Sequence, residues 1–137
     1  MKLDRSLSDR TEDSIDVNPR DCWHNAWLAL ICLQLHSALY VEGWAVADGL
    51  LIEHAWIEVA DRIVDPTLWR RQAAYFPGMR LDRRAARRAL ARCTEARPAG
   101  CFPIVWRYGW RGTACPEYMA AYRAALAHAA QAAVIGS

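Results

Sequence analysis

The sequence predicts an α+β domain in which a buried helix packs on an antiparallel β-sheet. A run from Asp21 to about Ser37 is apolar on most faces, which is typical of a helix inside a protein rather than on its surface. Short β-like stretches follow at Tyr40–Ala47, Ile52–Val59 and Arg62–Asp65. Additional C-terminal helices complete the class, in which helices cover an antiparallel sheet.

Length and composition predict one domain with a real core. The chain has 137 residues, of which 54% are hydrophobic and seven are Trp. Residues 1–17 are polar and aperiodic, so we expect a flexible N-terminal segment before a single domain at 18–137. That start lacks the apolar core of a signal peptide, and no apolar run reaches membrane-span length. The prediction is therefore a cytoplasmic protein with no membrane partner.

Cys22 is the cysteine best placed to act as a nucleophile. Asn18 and Pro19 predict the N-cap and first position of the long helix, which puts Cys22 in its first turn. The free N–H groups and the dipole at a helix start favour a thiolate. The five cysteines form no C-x-x-C pair, so we expect free thiols. Cys32 is mid-helix and predicted to be core, and the others lie at predicted element ends: Cys93, Cys101 and Cys115.

His54 has a candidate carboxylate partner in Asp65. Asp48-Gly49 is a turn signal that joins the first two β-like stretches as a hairpin. A two-residue turn at Ala60-Asp61 would bring Asp65 to the same face as His54, diagonally across the strands and within reach. A turn one residue longer or shorter would put it on the opposite face. Asp65 could instead simply cap the turn before Pro66.

The second half of the chain carries an arginine-rich helix at 81–94, a predicted strand at 101–108 and an alanine-rich helix at about 116–134. The first of these predicts a basic face, formed by Arg80, Arg83, Arg84, Arg87, Arg88 and Arg92. Its inward face would be apolar, formed by Leu81, Ala85, Ala89 and Leu90. A formal net charge of only +2 favours a solvated helix over a nucleic-acid surface.

The order of these features resembles the transglutaminase-like core, a cysteine-protease-like fold shared with papain-like enzymes. The matching residues are Cys22, the H-A-W-x-E-V block that begins at His54, and Asp65-Pro66, within residues 18–69. The resemblance implies a catalytic triad with Cys22 as nucleophile, His54 as base and Asp65 as the residue that orients the imidazole. It implies no cofactor.

An acyl-transfer site also needs donors for the oxyanion. The backbone N–H of Cys22 is one, and the second is open among Asn18, Asn25 and the indole N–H of Trp23. Trp56 is a core residue or a wall of a substrate groove. His24 lies two residues from Cys22 and faces another direction on a helix, so it is a poor base. No Cys or His pair has zinc-ligand spacing, so no metal site is predicted.

These features predict a cysteine-dependent amide hydrolase or acyl transferase that passes through a thioester. Its substrate would be a peptide or a small amide, and hydrolysis is the more general expectation. The alternative is a non-catalytic binding protein on the same fold, which holds a peptide, a partner protein or a nucleic acid. An enzyme needs Cys22 close to His54. A binding protein does not.

Overall fold

A computed structural model describes residues 1–33, 37–94, 103–107 and 112–136. The chain forms five strands and four α-helices within these ranges. The strands are β1 (Lys2–Leu3), β2 (Leu39–Ala47), β3 (Leu50–Val59), β4 (Arg62–Val64) and β5 (Ala73–Asp82). The helices are α1 (Arg5–Ser14), α2 (Cys22–Leu33), α3 (Arg83–Thr94) and α4 (Pro116–Gly136), with a 3-10 turn at Ile104–Arg107. The α+β class is therefore as predicted.

The strands form one mixed sheet in the order β1-β4-β3-β2-β5. The short β1 runs parallel to β4, and every other pair is antiparallel. Neither β1 nor β5 was predicted from the sequence. β5 contains Pro77 and Gly78, which are both unfavourable in a strand. It forms nevertheless, because it lies at the sheet edge and pairs with β2 across an irregularity in the ladder next to Gly43.

Two tight turns set the register of the three central strands. Asp48 and Gly49 both have positive φ, 51° and 82°, as a type I′ hairpin turn requires, and Ala47 pairs with Leu50. Ala60 has φ 55° in the second turn, where Val59 pairs with Arg62. Both loops therefore have two residues. This confirms the hairpin at Asp48-Gly49 and the two-residue turn considered at Ala60-Asp61.

The main core lies between α2, α3, α4 and one face of the sheet. Small residues of α2, including Ala26 and Ala29, let that helix lie close to the sheet, where Tyr40 and Ile57 are fully buried. Tyr118 of α4 packs in the same cluster. The apolar character of α2 on most faces is explained by this central position.

The opposite face of the sheet carries a second, smaller apolar cluster. Val41, Trp56 and Ile63 are buried there. Residues two apart in a strand point to the same face of the sheet, as do directly opposed residues of an antiparallel ladder. His54, which pairs with Gly43, lies two residues before Trp56 in β3. His54 therefore belongs to the strand face that carries Trp56.

Two parts of the chain differ from the prediction. Residues 1–17 contain α1, which starts with an N-cap: Asp4 Oδ1 accepts from Leu7 N at 2.9 Å. Its Ser8 and Thr11 are buried, so this segment is packed rather than flexible. The strand predicted at 101–108 is wrong for its described residues, because Ile104–Arg107 forms the 3-10 turn. No helix within the described ranges is long and apolar enough to cross a membrane.

Candidate active site

His54 and Asp65 form a buried pair, with His54 Nε2 2.8 Å from Asp65 Oδ2. The side chains are 2% and 0% exposed. Ile57 pairs with Val64, so β4 ends one residue before Asp65, and β3 has no strand neighbour on that side at the level of His54. The predicted diagonal contact across the hairpin is therefore present.

Asp65 is held by donors from three parts of the chain. Its Oδ1 accepts from the N–H groups of Thr67 at 3.0 Å and Leu68 at 3.1 Å, and its Oδ2 also accepts from the Tyr75 hydroxyl at 2.7 Å. Its own N–H donates to Ser8 Oγ at 3.0 Å. Burial would raise the pKa of Asp65, but His54, Tyr75 and Leu68 together hold it below its usual value. The carboxylate is thus fixed in its charged form.

Cys22 is the first residue of α2 and is 9% exposed. The helix begins later than predicted: Asp21 Oδ1 accepts from His24 N at 3.2 Å, so Asp21 and not Asn18 caps it. Asn18 instead makes a local turn, in which its Oδ1 accepts from Arg20 N at 3.1 Å. The later start places Cys22 at the N-terminal end of the helix, where backbone N–H groups lack intrahelical acceptors.

Asn25 connects the first turn of α2 to the segment that carries Asp65. Its Nδ2 donates to Asn18 O at 2.7 Å and to Thr67 Oγ1 at 3.0 Å, and its Oδ1 accepts from Asn18 N at 3.0 Å. Thr67 in turn donates its N–H to Asp65. Both amide protons of Asn25 are used, so it positions the helix and has no proton left for an oxyanion.

The Cys22 thiol lies close enough to the His54 ring to influence its titration. Burial lowers the pKa of His54, but the Asp65 carboxylate and then the Cys22 thiol raise it to about 10. Nε2 is engaged by Asp65, which leaves Nδ1 as the nitrogen that can exchange a proton with the thiol. The charged form of the ring is therefore favoured by Asp65, and the ring lies beside the Cys22 sulfur.

Trp23 is the remaining side-chain candidate for the second oxyanion donor. Its Nε1 is buried and has no hydrogen-bond partner within the described part of the chain. A buried N–H without an acceptor is costly, and such groups are found where a ligand supplies the acceptor. Trp23 follows Cys22 directly, so this donor is on the same turn as the thiol. Asn18 is exposed, so its amide donors are hydrated and would stabilise an oxyanion less than a buried N–H does.

Glu42 is a buried acid that the sequence did not reveal as such. It is 0% exposed and accepts from the Tyr40 hydroxyl at 2.5 Å and from Ile104 N and Val105 N, each at 2.7 Å. Burial raises its pKa to about 7. Cys22 is close enough to Tyr40 to influence its pKa, which places this network beside the Cys22 thiol. The sequence signal that could have indicated its burial is a Glu within an apolar strand, at a position that faces α2.

The predicted arginine face is divided in the structure. Arg80 belongs to β5, where its Nε donates to Glu58 Oε1 at 2.6 Å, and Glu58 is itself buried rather than solvated. Arg83 donates to Leu30 O at 2.8 Å. Arg84 and Arg87 are exposed on α3, and so is Arg88; the side chain of Arg92 is outside the described residues. The buried positions of α3 are Ala86 and Leu90.

Besides His54, the described parts of the chain contain two histidines, His24 and His128. His24 is exposed on α2, His128 contacts the Phe76 ring at 5.4 Å, and His36 lies outside the described residues. Over the described ranges, no three His, Cys, Asp or Glu side chains stand together as a metal site. Cys32 is exposed rather than core, and Cys115 is partly exposed; the Cys93 side chain and Cys101 lie outside the described parts.

Comparison with known proteins adds no family. The chain matches no protein-family model, no curated protein and no solved structure. A functional assignment therefore depends on the sequence pattern and on the geometry around Cys22, His54 and Asp65.

Proposed function

We propose that the protein is a cysteine-dependent amide hydrolase or acyl transferase of the transglutaminase-like class, with Cys22 as nucleophile. The observation that carries the proposal is the buried His54–Asp65 pair at 2.8 Å, with the Cys22 thiol at the start of α2 beside the imidazole. A buried imidazole oriented by a carboxylate and adjacent to a thiol is the constellation required for thiol nucleophilic catalysis.

The first half-reaction makes a thioester. The Cys22 sulfur attacks the amide carbonyl carbon, the S–C bond forms, and the carbonyl electron pair moves to oxygen. The N–H of Cys22 and the indole N–H of Trp23 donate to that oxyanion. When the intermediate collapses, the C–N bond breaks and His54 gives its Nδ1 proton to the departing amine.

The second half-reaction releases the acyl group. Water, or an amine in acyl transfer, attacks the thioester carbonyl while Nδ1 of His54 takes the proton of the attacking group. The C–S bond then breaks, and Cys22 leaves as a thiolate beside the restored imidazolium. Asp65 accepts the hydrogen bond from Nε2–H of His54 throughout, and this fixes the tautomer and the orientation of the ring. Water is present at high concentration, so we favour hydrolysis of a peptide or small amide.

The test is the reactivity of Cys22 toward iodoacetamide between pH 5 and 9, read for each cysteine by mass spectrometry. Because the imidazole of His54 lies beside the sulfur and activates it as a nucleophile, Cys22 should alkylate faster than Cys32 despite its burial. Exposed Cys32, further along α2, is the internal control. His54→Ala should slow Cys22 and leave Cys32 unchanged.

The proposal is overturned if Cys32 reacts faster than Cys22 at every pH, both in the parent protein and in the His54→Ala variant. A thermal melt of the variant shows whether it is folded, and His54→Gln repeats the test with a side chain that keeps a hydrogen bond to Asp65. An inert Cys22 would favour the second candidate, a non-catalytic binding protein. That candidate is supported by a groove of about 790 Å³ on the Trp56 face of the sheet.

A further inference from the structure

The sheet face opposite α2 carries an open groove with a volume of about 790 Å³. This volume falls within the range of roughly 300–1,000 Å³ found for ligand pockets. Its lining comes from four strands and includes Leu3 of β1, Ile63 of β4, Trp56 of β3 and Tyr75 of β5. The groove therefore runs across the sheet, from one edge to the other.

The charge of the lining is positive. Lys2, Arg5 and Arg80 line the groove, against one acid, Glu58. Arg80 and Glu58 neutralise each other through their ion pair at 2.6 Å. Lys2 is exposed, and its side chain makes no ion pair or hydrogen bond with any described residue. Arg5 donates to the backbone oxygen of Trp69, a neutral acceptor, and makes no ion pair with a carboxylate of the described residues.

A buried donor in the groove also lacks an acceptor. Trp56 is 0% exposed and lines the groove, and its Nε1 has no hydrogen-bond partner among the residues that are described. Buried indole N–H groups normally find a partner. A ligand that brings an oxygen acceptor to this point would remove the cost of the unmade hydrogen bond.

The groove has the length of a short extended peptide. Crossing from β1 to β5 covers four inter-strand spacings of about 4.8 Å, or roughly 19 Å. An extended chain rises about 3.3 Å per residue, so roughly six residues span the groove. Peptide carbonyls supply acceptors for the Trp56 N–H, and acidic side chains complement Lys2 and Arg5.

We propose that this groove is a binding site for an acidic, extended peptide segment. The site is distinct from the reacting atoms of Cys22, and it adjoins the buried pair from behind. Tyr75, one wall of the groove, donates to the same Asp65 oxygen that His54 contacts, and the Trp56 ring stacks on the His54 ring with centroids 6.0 Å apart. A bound peptide would thus contact Tyr75, which donates to Asp65, and would lie over Trp56, which stacks on His54.

The test is a titration of ¹⁵N-labelled full-length Cys22→Ser protein with an acetylated, amidated hexaglutamate peptide, followed by the indole N–H signals of the tryptophans. Cys22→Ser prevents cleavage of the peptide, so binding is measured apart from the proposed reaction. The Trp56 signal, assigned by its loss in Trp56→Phe, should shift as the site fills. Hexaglutamine and hexalysine peptides of the same length should shift it far less.

Lys2→Glu should weaken hexaglutamate binding by about five- to tenfold, because it exchanges an attraction for a repulsion. Arg84→Glu is the matched control, since Arg84 is exposed on α3 outside the groove, and it should leave the affinity unchanged. Neither exposed substitution removes a core contact, so both variants should fold.

Three outcomes would overturn the inference. One is a Trp56 signal that does not move at saturating hexaglutamate. Another is equal binding of hexaglutamine, which would make acidic character irrelevant. The last is a loss of affinity in Arg84→Glu and none in Lys2→Glu, which would place the acidic peptide on α3. None of these depends on whether Cys22 reacts with iodoacetamide.

Discussion

The Asp65 side chain has the most demanding environment of any proposed catalytic residue. It is fully buried, and its two oxygens receive contacts from Thr67, Leu68, Tyr75 and His54. A buried carboxylate is stable only when its charge is paired and hydrogen-bonded. Because the donors come from backbone and side chains on different elements, the carboxylate cannot turn away from the imidazole.

Asp65→Asn should reduce the alkylation of Cys22 at pH 6 by at least about tenfold. The new amide would donate to His54 Nε2 where the carboxylate now accepts, which holds the ring neutral and in the wrong tautomer. The pKa of His54 should then fall from about 10, since burial lowers it and only the weaker effect of the Cys22 thiol would still raise it. A pH titration of the ring nitrogens by NMR measures this change.

Tyr75→Phe is the matched control for that variant. It removes one donor to Asp65 but keeps the contact with His54. Because only one charged hydrogen bond is lost, the reactivity of Cys22 should stay within about tenfold of the parent value. If Asp65→Asn and Tyr75→Phe were equally mild, Asp65 would be a structural residue of the turn and not the partner that charges His54.

At the scale of elements, the sheet depends on one close approach between β2 and β5. The ladder shifts register between Glu42 and Gly43, and β5 carries Pro77 and Gly78 at this place. The Cβ of any other residue at Gly43 would lie 2.3 Å from Phe76 O. Glycine is unfavourable inside a strand, but at position 43 it is needed for strand pairing.

Gly43→Ala should therefore destabilise the protein by about 1–3 kcal/mol, the usual cost of forcing extra atoms into a packed place. The overlap is with backbone and cannot be relieved by a side-chain rotation. Gly49→Ala is the control: its added Cβ meets nothing within 4 Å, so only the strain of φ 82° remains. Urea unfolding of both variants measures the difference. Equal losses would mean that β5 moves away freely.

At the scale of the whole molecule, burial of ionisable groups couples folding to pH. The pKa of His54 is raised from 6.5 to about 10, so its contribution to stability is full below pH 6.5 and is lost as pH rises toward 10. The pKa of Glu42 is raised from 4.5 to about 7, so its contribution is full below pH 4.5 and is lost as pH rises toward 7. The lowered pKa of Asp65 acts oppositely, and its contribution is lost as the pH falls below 3.8.

Glu42→Gln should flatten the pH dependence of stability between pH 4.5 and 7. In the parent protein the free energy of unfolding should fall across this window by up to about 3 kcal/mol from Glu42 alone. The variant should also be less stable at pH 4.5, because an amide cannot accept from both Ile104 N and Val105 N without placing its NH₂ group against one of them. Thermal melts from pH 4 to 8 measure both effects. An unchanged slope would contradict a titrating Glu42.

Several elements followed from local sequence. The apolar run around Ala26 predicted a central helix, the Asp48-Gly49 pair predicted a hairpin, and the Pro116 helix was placed close to its observed bounds. Each of these signals lies within one or two turns of chain. α1 was missed because its apolar face is small, and its helix is stabilised by Asp4 as a cap and by packing of Ser8.

The sequence by itself predicted that Asp65 meets His54 if the turn between their strands has two residues. The alternation of β3 and the two-residue turn at Ala60-Asp61 suffice to bring Asp65 to the face of His54, because side-chain direction along a strand has a strict period of two. Tertiary structure alone decided what surrounds the pair. Ser8 and Tyr75 reach Asp65 from α1 and β5, and Glu42 is buried by the distant turn at Ile104. Contacts between residues far apart in the chain leave no periodic signal, because they depend on how whole elements pack.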